Sequence, residues 1–189
     1  MAIDQFSTPS ERDAFGHWLS GFVDGEGHFC LHRCKHKMAH GGKTLGASLA
    51  ISVRLDDQEI LREIGRYWGV GTFNFPTPIN GNHAIRFQVA SFRDLYLVVV
   101  PHFERYPLRA KKQRDFEIWK KGVEIMYRVK CRPPVSNGRR FFPKATDTER
   151  DEFQVLVDLL QKQRRYTTTD ALEIPKRGAR LDIQGDLFT

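Results

Sequence analysis

The segment Leu19-Ser20-Gly21-Phe22-Val23-Asp24-Gly25-Glu26-Gly27 places two carboxylates, Asp24 and Glu26, at the end of a predicted helix. Stability argues against acids there. The helix macrodipole leaves partial negative charge at the C-terminus, so each exposed carboxylate costs roughly 0.3–1 kcal/mol. A bound cation is the obvious compensation. Gly21 and Gly25 lie one helical turn apart, on a face that also carries Ser20 and Asp24, and two glycines let another backbone approach closely. If this face packs against its own copy about a two-fold axis, the two Glu26 side chains come together. At about 4 Å and an effective dielectric near 20 they would repel by on the order of 4 kcal/mol. A raised pKa or a bound metal relieves that repulsion. Mg²⁺ among carboxylates, phosphate oxygens and water is the arrangement that phosphodiester hydrolysis uses. The plainer readings are close helix packing within one chain and an exposed loop acid.

The elements that must position these residues follow from patterning. Thr8-Pro9-Ser10-Glu11 reads as a capping box with proline at the first helical position. Phe15, Trp18, Leu19, Phe22 and Val23 then form one apolar stripe, giving a helix from about Pro9 to Gly25. Phe29 and Leu31 alternate within a strand over His28 to Lys37. From Thr44 to Leu55 the alternation is nearly strict, and a loop with two glycines separates the two runs, which together make a long hairpin. Asp56 or Asp57 can cap a second helix carrying Ile60, Leu61 and Ile64 and ending at Trp68-Gly69. Strands over Gly71 to Phe75 and His83 to Ala90 follow, then a helix from about Phe92 to Tyr106, broken near Pro101 or ended by Pro107. Another runs from Arg109 to Arg128. Helix, two strands, helix, two strands, helices predicts an α+β fold, αββαββα. Its four antiparallel strands are covered by helices on one face and leave a polar, basic face open.

Residues 1–130 read as this core, and 131–166 as a basic loop with a C-terminal helix from Thr146 to Arg165. Residues 167–189 form a polar tail without periodicity, expected to be flexible. A net charge of +7 favours a polyanionic partner, with nucleic acid first. There is neither a long apolar run nor a signal-peptide layout at the start. The expectation is therefore an intracellular protein without a membrane span, cytoplasmic or nucleoid-associated in a bacterium, or in an organelle matrix. Cys30, Cys34 and Cys131 cannot all pair within one chain and read as reduced thiols.

The Leu19 to Gly27 segment resembles the LAGLIDADG motif of homing endonucleases. The resemblance continues through Trp18 to Phe29, Ile60 to Thr72 with its Trp68-Gly69-Val70-Gly71-Thr72 ending, and Phe103 to Lys121, covering about residues 12 to 128. It implies a saddle-shaped sheet that reads the major groove and motif helices packed at the centre, with the second motif acid binding catalytic Mg²⁺ or Mn²⁺. Carried over by position, that acid is Glu26. The Gly25 carbonyl completes the metal site, and Asp24 is structural or outer-shell. Glutamate replaces the usual aspartate at Glu26, and Leu55 stands where some members carry a water-organising glutamine. The resemblance also implies a basic residue near the scissile phosphate, here Lys112 or Lys111; the plainer reading of both is solvated charge at a helix start. One copy of the motif is present, and single-motif members pair as homodimers on two related half-sites, here through Ser20, Gly21, Asp24 and Gly25. Members reside in introns, inteins or free-standing frames.

Arg33, Lys35, Lys37, Lys43, Ser48, Ser52, Arg54, Arg86 and Gln88 are the expected DNA-contacting residues, with strand parity supporting Arg54 and Arg86 most directly. Cys30, His32, Cys34, His36 and His40 invite a zinc reading, but alternate positions on one strand do not make the usual turn-based ligand pairs. Gln184, Leu187 and Phe188 resemble the glutamine-to-Leu-Phe peptide by which bacterial replication proteins dock on the sliding clamp; chance similarity in a polar tail is the plainer reading. The expected function is metal-dependent cleavage of double-stranded DNA at a long pseudo-palindromic site. The alternatives are a non-cleaving intron maturase or DNA-binding regulator on the same fold, and a metal-binding structural module.

Overall fold

The computed structural model describes residues 8–35, 43–76, 83–133 and 144–164. Helix α1 (Pro9–Glu26) starts where the capping box predicts. The Thr8 backbone N–H donates to Glu11 Oε2 at 2.9 Å, and the Glu11 N–H donates to Thr8 Oγ1 at 3.2 Å. The chain passes at Gly27 directly into β1 (Gly27–Lys35), which pairs with β2 (Lys43–Arg54). A 3₁₀ turn over Leu55–Asp57 leads into α2 (Gln58–Trp68). The capping expected of Asp56 or Asp57 is absent: Asp57 makes no side-chain cap, and Asp56 instead receives the Arg54 guanidinium. Gly69 ends α2 with φ 67°, a left-handed conformation suited to glycine. At Gly71, with φ 106°, an added Cβ would also sit 2.4 Å from the Phe87 ring.

Strands β3 (Thr72–Asn74) and β4 (Ala84–Val89) complete an antiparallel sheet in the order β1-β2-β4-β3. The helical stretch after it is continuous, not broken. It runs through α3 (Phe92–Asp94), a π turn (Leu95–Val99) and α4 (Val100–Arg105). Pro101 has no N–H and its ring crowds the preceding turn, so the widened π turn before it absorbs the mismatch. Helices α5 (Lys112–Lys130) and α6 (Asp147–Arg164) close the fold. The architecture is α+β, as patterning predicts.

Period-two alternation decides what is buried. Phe29, Leu31, Leu45, Ala47, Leu49, Ile51, Ile85, Phe87 and Val89 all face the helices. Against them pack Leu19 and Val23 of α1, Leu61 and Ile64 of α2, Phe103 of α4, and Phe116 and Trp119 of α5. Trp119 is fully buried, its ring 5.0 Å from that of Phe29. Helix α6 sends Phe153, Leu156, Val157 and Leu160 into the same core. Its own start repeats the α1 device: Glu149 N–H donates to Thr146 Oγ1 at 3.2 Å, and Thr146 N–H donates to Glu149 Oε2 at 2.9 Å.

One expectation fails on the sheet. Arg33 shares the parity of Phe29 and Leu31, so its side chain turns toward the helices and Nη1 donates to Gln154 Oε1 of α6 at 3.0 Å. It stands on the wrong face to meet a ligand on the open side.

Candidate active site

The C-terminus of α1 has no basic residue in its own last turn. The missing cation comes from α5. Lys112 Nζ donates to the carbonyls of Asp24 at 2.6 Å and Gly25 at 2.7 Å, placing an ammonium on the negative end of the helix. Asp24 is anchored from the same side. Its Oδ2 accepts the backbone N–H groups of Arg109 (2.7 Å) and Ala110 (3.1 Å), while Oδ1 is buried without a hydrogen-bond partner. The segment 109–112 therefore grips the end of α1 at four points. Asp24 Oδ2 is thus occupied within the chain, in keeping with the structural or outer-shell place the resemblance implies for it, whereas a direct metal ligand would need that oxygen free. Of the two lysines, Lys112 is the one brought to the motif; Lys111 sits at the N-cap of α5.

Glu26 is exposed and lines an open groove of about 610 Å³ with Phe22, Val53, Arg54, Asp56, Asp57, Glu59 and Ile60. Among the described residues no group of three or more His, Cys, Asp or Glu side chains could hold a metal ion. The donors that one chain does offer are the Glu26 carboxylate and the remaining lone pair of the Gly25 carbonyl. These hard oxygens suit Mg²⁺ or Mn²⁺, ions that keep several waters or phosphate oxygens of their own. The donor set fits such an ion with its other places filled from outside the chain.

The small-residue face of α1 is only partly as expected. Ser20 is buried, and its hydroxyl donates to the Tyr106 carbonyl at 2.5 Å, so it belongs to the intramolecular side and not to a dimer face. Gly21 and Gly25 do face outward, with nothing within 4 Å of an added Cβ at either. Beside them Trp18, 40% exposed, stacks on Phe22 at 5.1 Å. The open face is thus Trp18, Gly21, Phe22 and Gly25.

Even-numbered residues of β1 and β2 carry the outer face of the sheet. Arg86 Nε donates to Ser52 Oγ at 3.1 Å, joining two of the expected DNA-contacting residues, and Gln88 stands opposite Ala50 and Thr72. Arg54 is exposed but held by Asp56 at 2.8 Å. Ser48 lies on the correct face yet is only 5% exposed, so it cannot reach a ligand without rearrangement. Lys35 and Lys43 are register partners at the end of the hairpin next to its connecting segment. Lys37, His36, His40, Gln184, Leu187 and Phe188 lie outside the described residues.

Sequence reasoning considered Cys30 and His32 only as zinc ligands and passed over His28; all three share the outer face with Ser52 and Arg86. Strict alternation from Phe29 and Leu31 was the available signal. His32 lies flat over Gly46, where a Cβ would come within 2.5 Å of its ring. Cys30 Sγ is 3.9 Å from His32 Nδ1, and neither Cys30 nor Cys131 is in a disulfide. Among the described residues no helix is long and apolar enough to cross a membrane.

Known proteins resemble this chain in sequence and in fold. Residues 19–123 match the family described as LAGLIDADG endonuclease. Curated relatives include an uncharacterized 50.9 kDa protein in ND4 intron 1 of Podospora anserina, 30% identical over 58% of this chain and 24% of its own length. Probable intron-encoded endonuclease 2 of Neurospora crassa is 28% identical over 58% of this chain and 24% of its own length. The chain thus spans about a quarter of these relatives. Among solved structures, I-SmaMI bound to uncleaved DNA with calcium ions superposes with a TM-score of 0.64 at 20% identity, covering 78% of this chain and 45% of that one. The homing endonuclease I-TnaI superposes at 0.62 and 19% identity, covering 78% of this chain and 94% of that one. At these identities the superpositions establish the fold. Motif, topology and a match over more than half its length agree: the chain belongs to the LAGLIDADG endonuclease family.

Proposed function

We propose that the protein is a site-specific, divalent-metal-dependent endonuclease that cuts double-stranded DNA as a homodimer. The observation that carries this reading is the treatment of the α1 end. Asp24 and the last carbonyls are tied down by residues 109–112, while Glu26 alone is left in the open beside an outward-facing glycine pair. An acid held at the negative end of a helix, next to a surface that admits a second backbone, makes physical sense when a cation sits between two copies.

In that assembly Glu26 and the Gly25 carbonyl would hold the metal. When bound, such an ion neutralises phosphate charge and lowers the pKa of a coordinated water. Lys112 fixes the Gly25 carbonyl and supplies positive charge beside the reacting phosphate, where negative charge builds up in the transition state. Leu55 is half buried against the core, so water is not oriented from that position. The outer face, with His28, Cys30, His32, Ser52, Arg86 and Gln88, is the proposed major-groove reader. Arg86, braced by Ser52, is suited to a guanine edge. A two-fold dimer implies two related half-sites.

Selection of cleavable sites from a randomised duplex library with Mg²⁺, with Glu26→Gln run beside the wild type, tests this. Recovery of a long two-fold-related site cut by the wild type alone is expected. Specific binding without cutting by the wild type would replace the proposal with a maturase or DNA-binding regulator.

A further inference from the structure

Helix α6 lies beyond residues 19–123, the stretch that matches the family, yet its last described side chain returns to the active site. Arg164 Nε is 3.7 Å from Asp115 Oδ2, and Arg164 Nη1 is 3.4 Å from His28 Nε2. His28 stands two residues after Glu26 on the outer face of β1, and Asp115 is one turn beyond Lys112 on α5. Three elements far apart in sequence therefore meet beside the motif.

The charges gathered there do not balance. Arg164, Arg86 and Lys112 all bear on His28, and Asp115 is the one carboxylate among the groups acting on it. Burial raises the Asp115 carboxyl, against the pull of Arg164. A pair this loose at a helix end contributes little to stability. Arg164, however, keeps 29% of its side chain exposed. Its Nε edge is turned to Asp115 and Nη1 to His28, leaving donors in a planar fork that matches a phosphate.

We propose that Arg164 binds a backbone phosphate of the DNA beside the scissile one, with Asp115 and His28 positioning its guanidinium. The C-terminal helix then completes the phosphate-binding edge that Lys112 begins. This inference rests on the DNA-cleaving reading above.

The test is the dependence of duplex affinity on salt for wild type, Arg164→Ala, Arg164→Lys and Asp115→Asn, with thermal melting and single-turnover cleavage of the selected site measured on the same samples. Arg164→Ala should flatten the log-log slope by about 0.9 per protomer. At fixed salt it should weaken binding by roughly tenfold to a hundredfold. Arg164→Lys should keep the slope, and Asp115→Asn should slow cleavage while keeping it. If Arg164→Ala melts below the assay temperature, Arg164→Gln carries the same slope test. An unchanged slope in the alanine or glutamine variant, whatever the melting temperature does, overturns the proposal and leaves Arg164 a purely structural partner of Asp115. If the wild type binds without cutting, the nuclease reading falls and the slope still decides the role of Arg164. Absence of salt-sensitive duplex binding by the wild type overturns both.

Discussion

At its N-terminus α1 has what a helix end requires: Thr8 and Glu11 satisfy each other's backbone N–H groups, and Pro9 occupies a position where no donor is needed. At its C-terminus the same helix carries two acids, no basic residue in its last turn, and Asp24 and Gly25 carbonyls held by a lysine borrowed from α5. Residues at the first end can be explained by stability alone. Those at the second end cannot, and the part left over after stability is accounted for is Glu26. On the proposed reading, the contrast between the two ends separates residues kept for folding from the one kept for metal binding.

Substitutions should pull this contrast apart. The largest effect is expected at Glu26. Glu26→Gln should lower single-turnover cleavage by at least roughly a thousandfold, about 4 kcal/mol of barrier. Its melting temperature should stay level or rise, because an exposed charge worth roughly 0.3–1 kcal/mol of unfavourable dipole interaction is gone. Lys112→Met should follow, with cleavage down roughly a hundredfold to a thousandfold. It should also bring a small drop in the denaturation midpoint, since two carbonyls lose their cation. Asp24→Asn should act in the opposite sense to Glu26→Gln. Weakening a charged acceptor that holds two backbone N–H groups should cost about 1.5–3 kcal/mol in urea unfolding, with cleavage lost only as far as the site loosens. Thr8→Ala is the smallest change, costing about 1 kcal/mol of stability and leaving cleavage untouched. Equal effects of Glu26→Gln and Thr8→Ala on stability would erase the contrast.

Much of this could be read from the chain, for reasons visible in particular residues. The start of α1, the β1–β2 hairpin and the burial of Phe29, Leu31 and Leu45 to Ile51 follow from a capping box and period-two alternation, both local signals. Arg33 departs from the expected face because charge says nothing about which side of a strand a residue occupies, whereas its shared parity with Phe29 and Leu31 does. Ser20 was assigned to an open face because it neighbours Gly21, yet its angular position on the helix turns it inward to the Tyr106 carbonyl. The helical run through Pro101 survives by a π turn, which propensity does not foresee. The meeting of His28, Asp115 and Arg164, and the clamp of residues 109–112 on Asp24, are contacts between distant segments. No periodicity or spacing in the sequence encodes them.

The central claim is that Glu26 binds a divalent metal at the end of α1. Its most direct test is Mn²⁺ binding to the complex with the selected duplex, read from the loss of the free-ion electron paramagnetic resonance signal, for wild type and Glu26→Gln at equal duplex occupancy. The account predicts saturable Mn²⁺ uptake by the wild-type complex and its loss in the glutamine variant. Equal uptake by both complexes would contradict it.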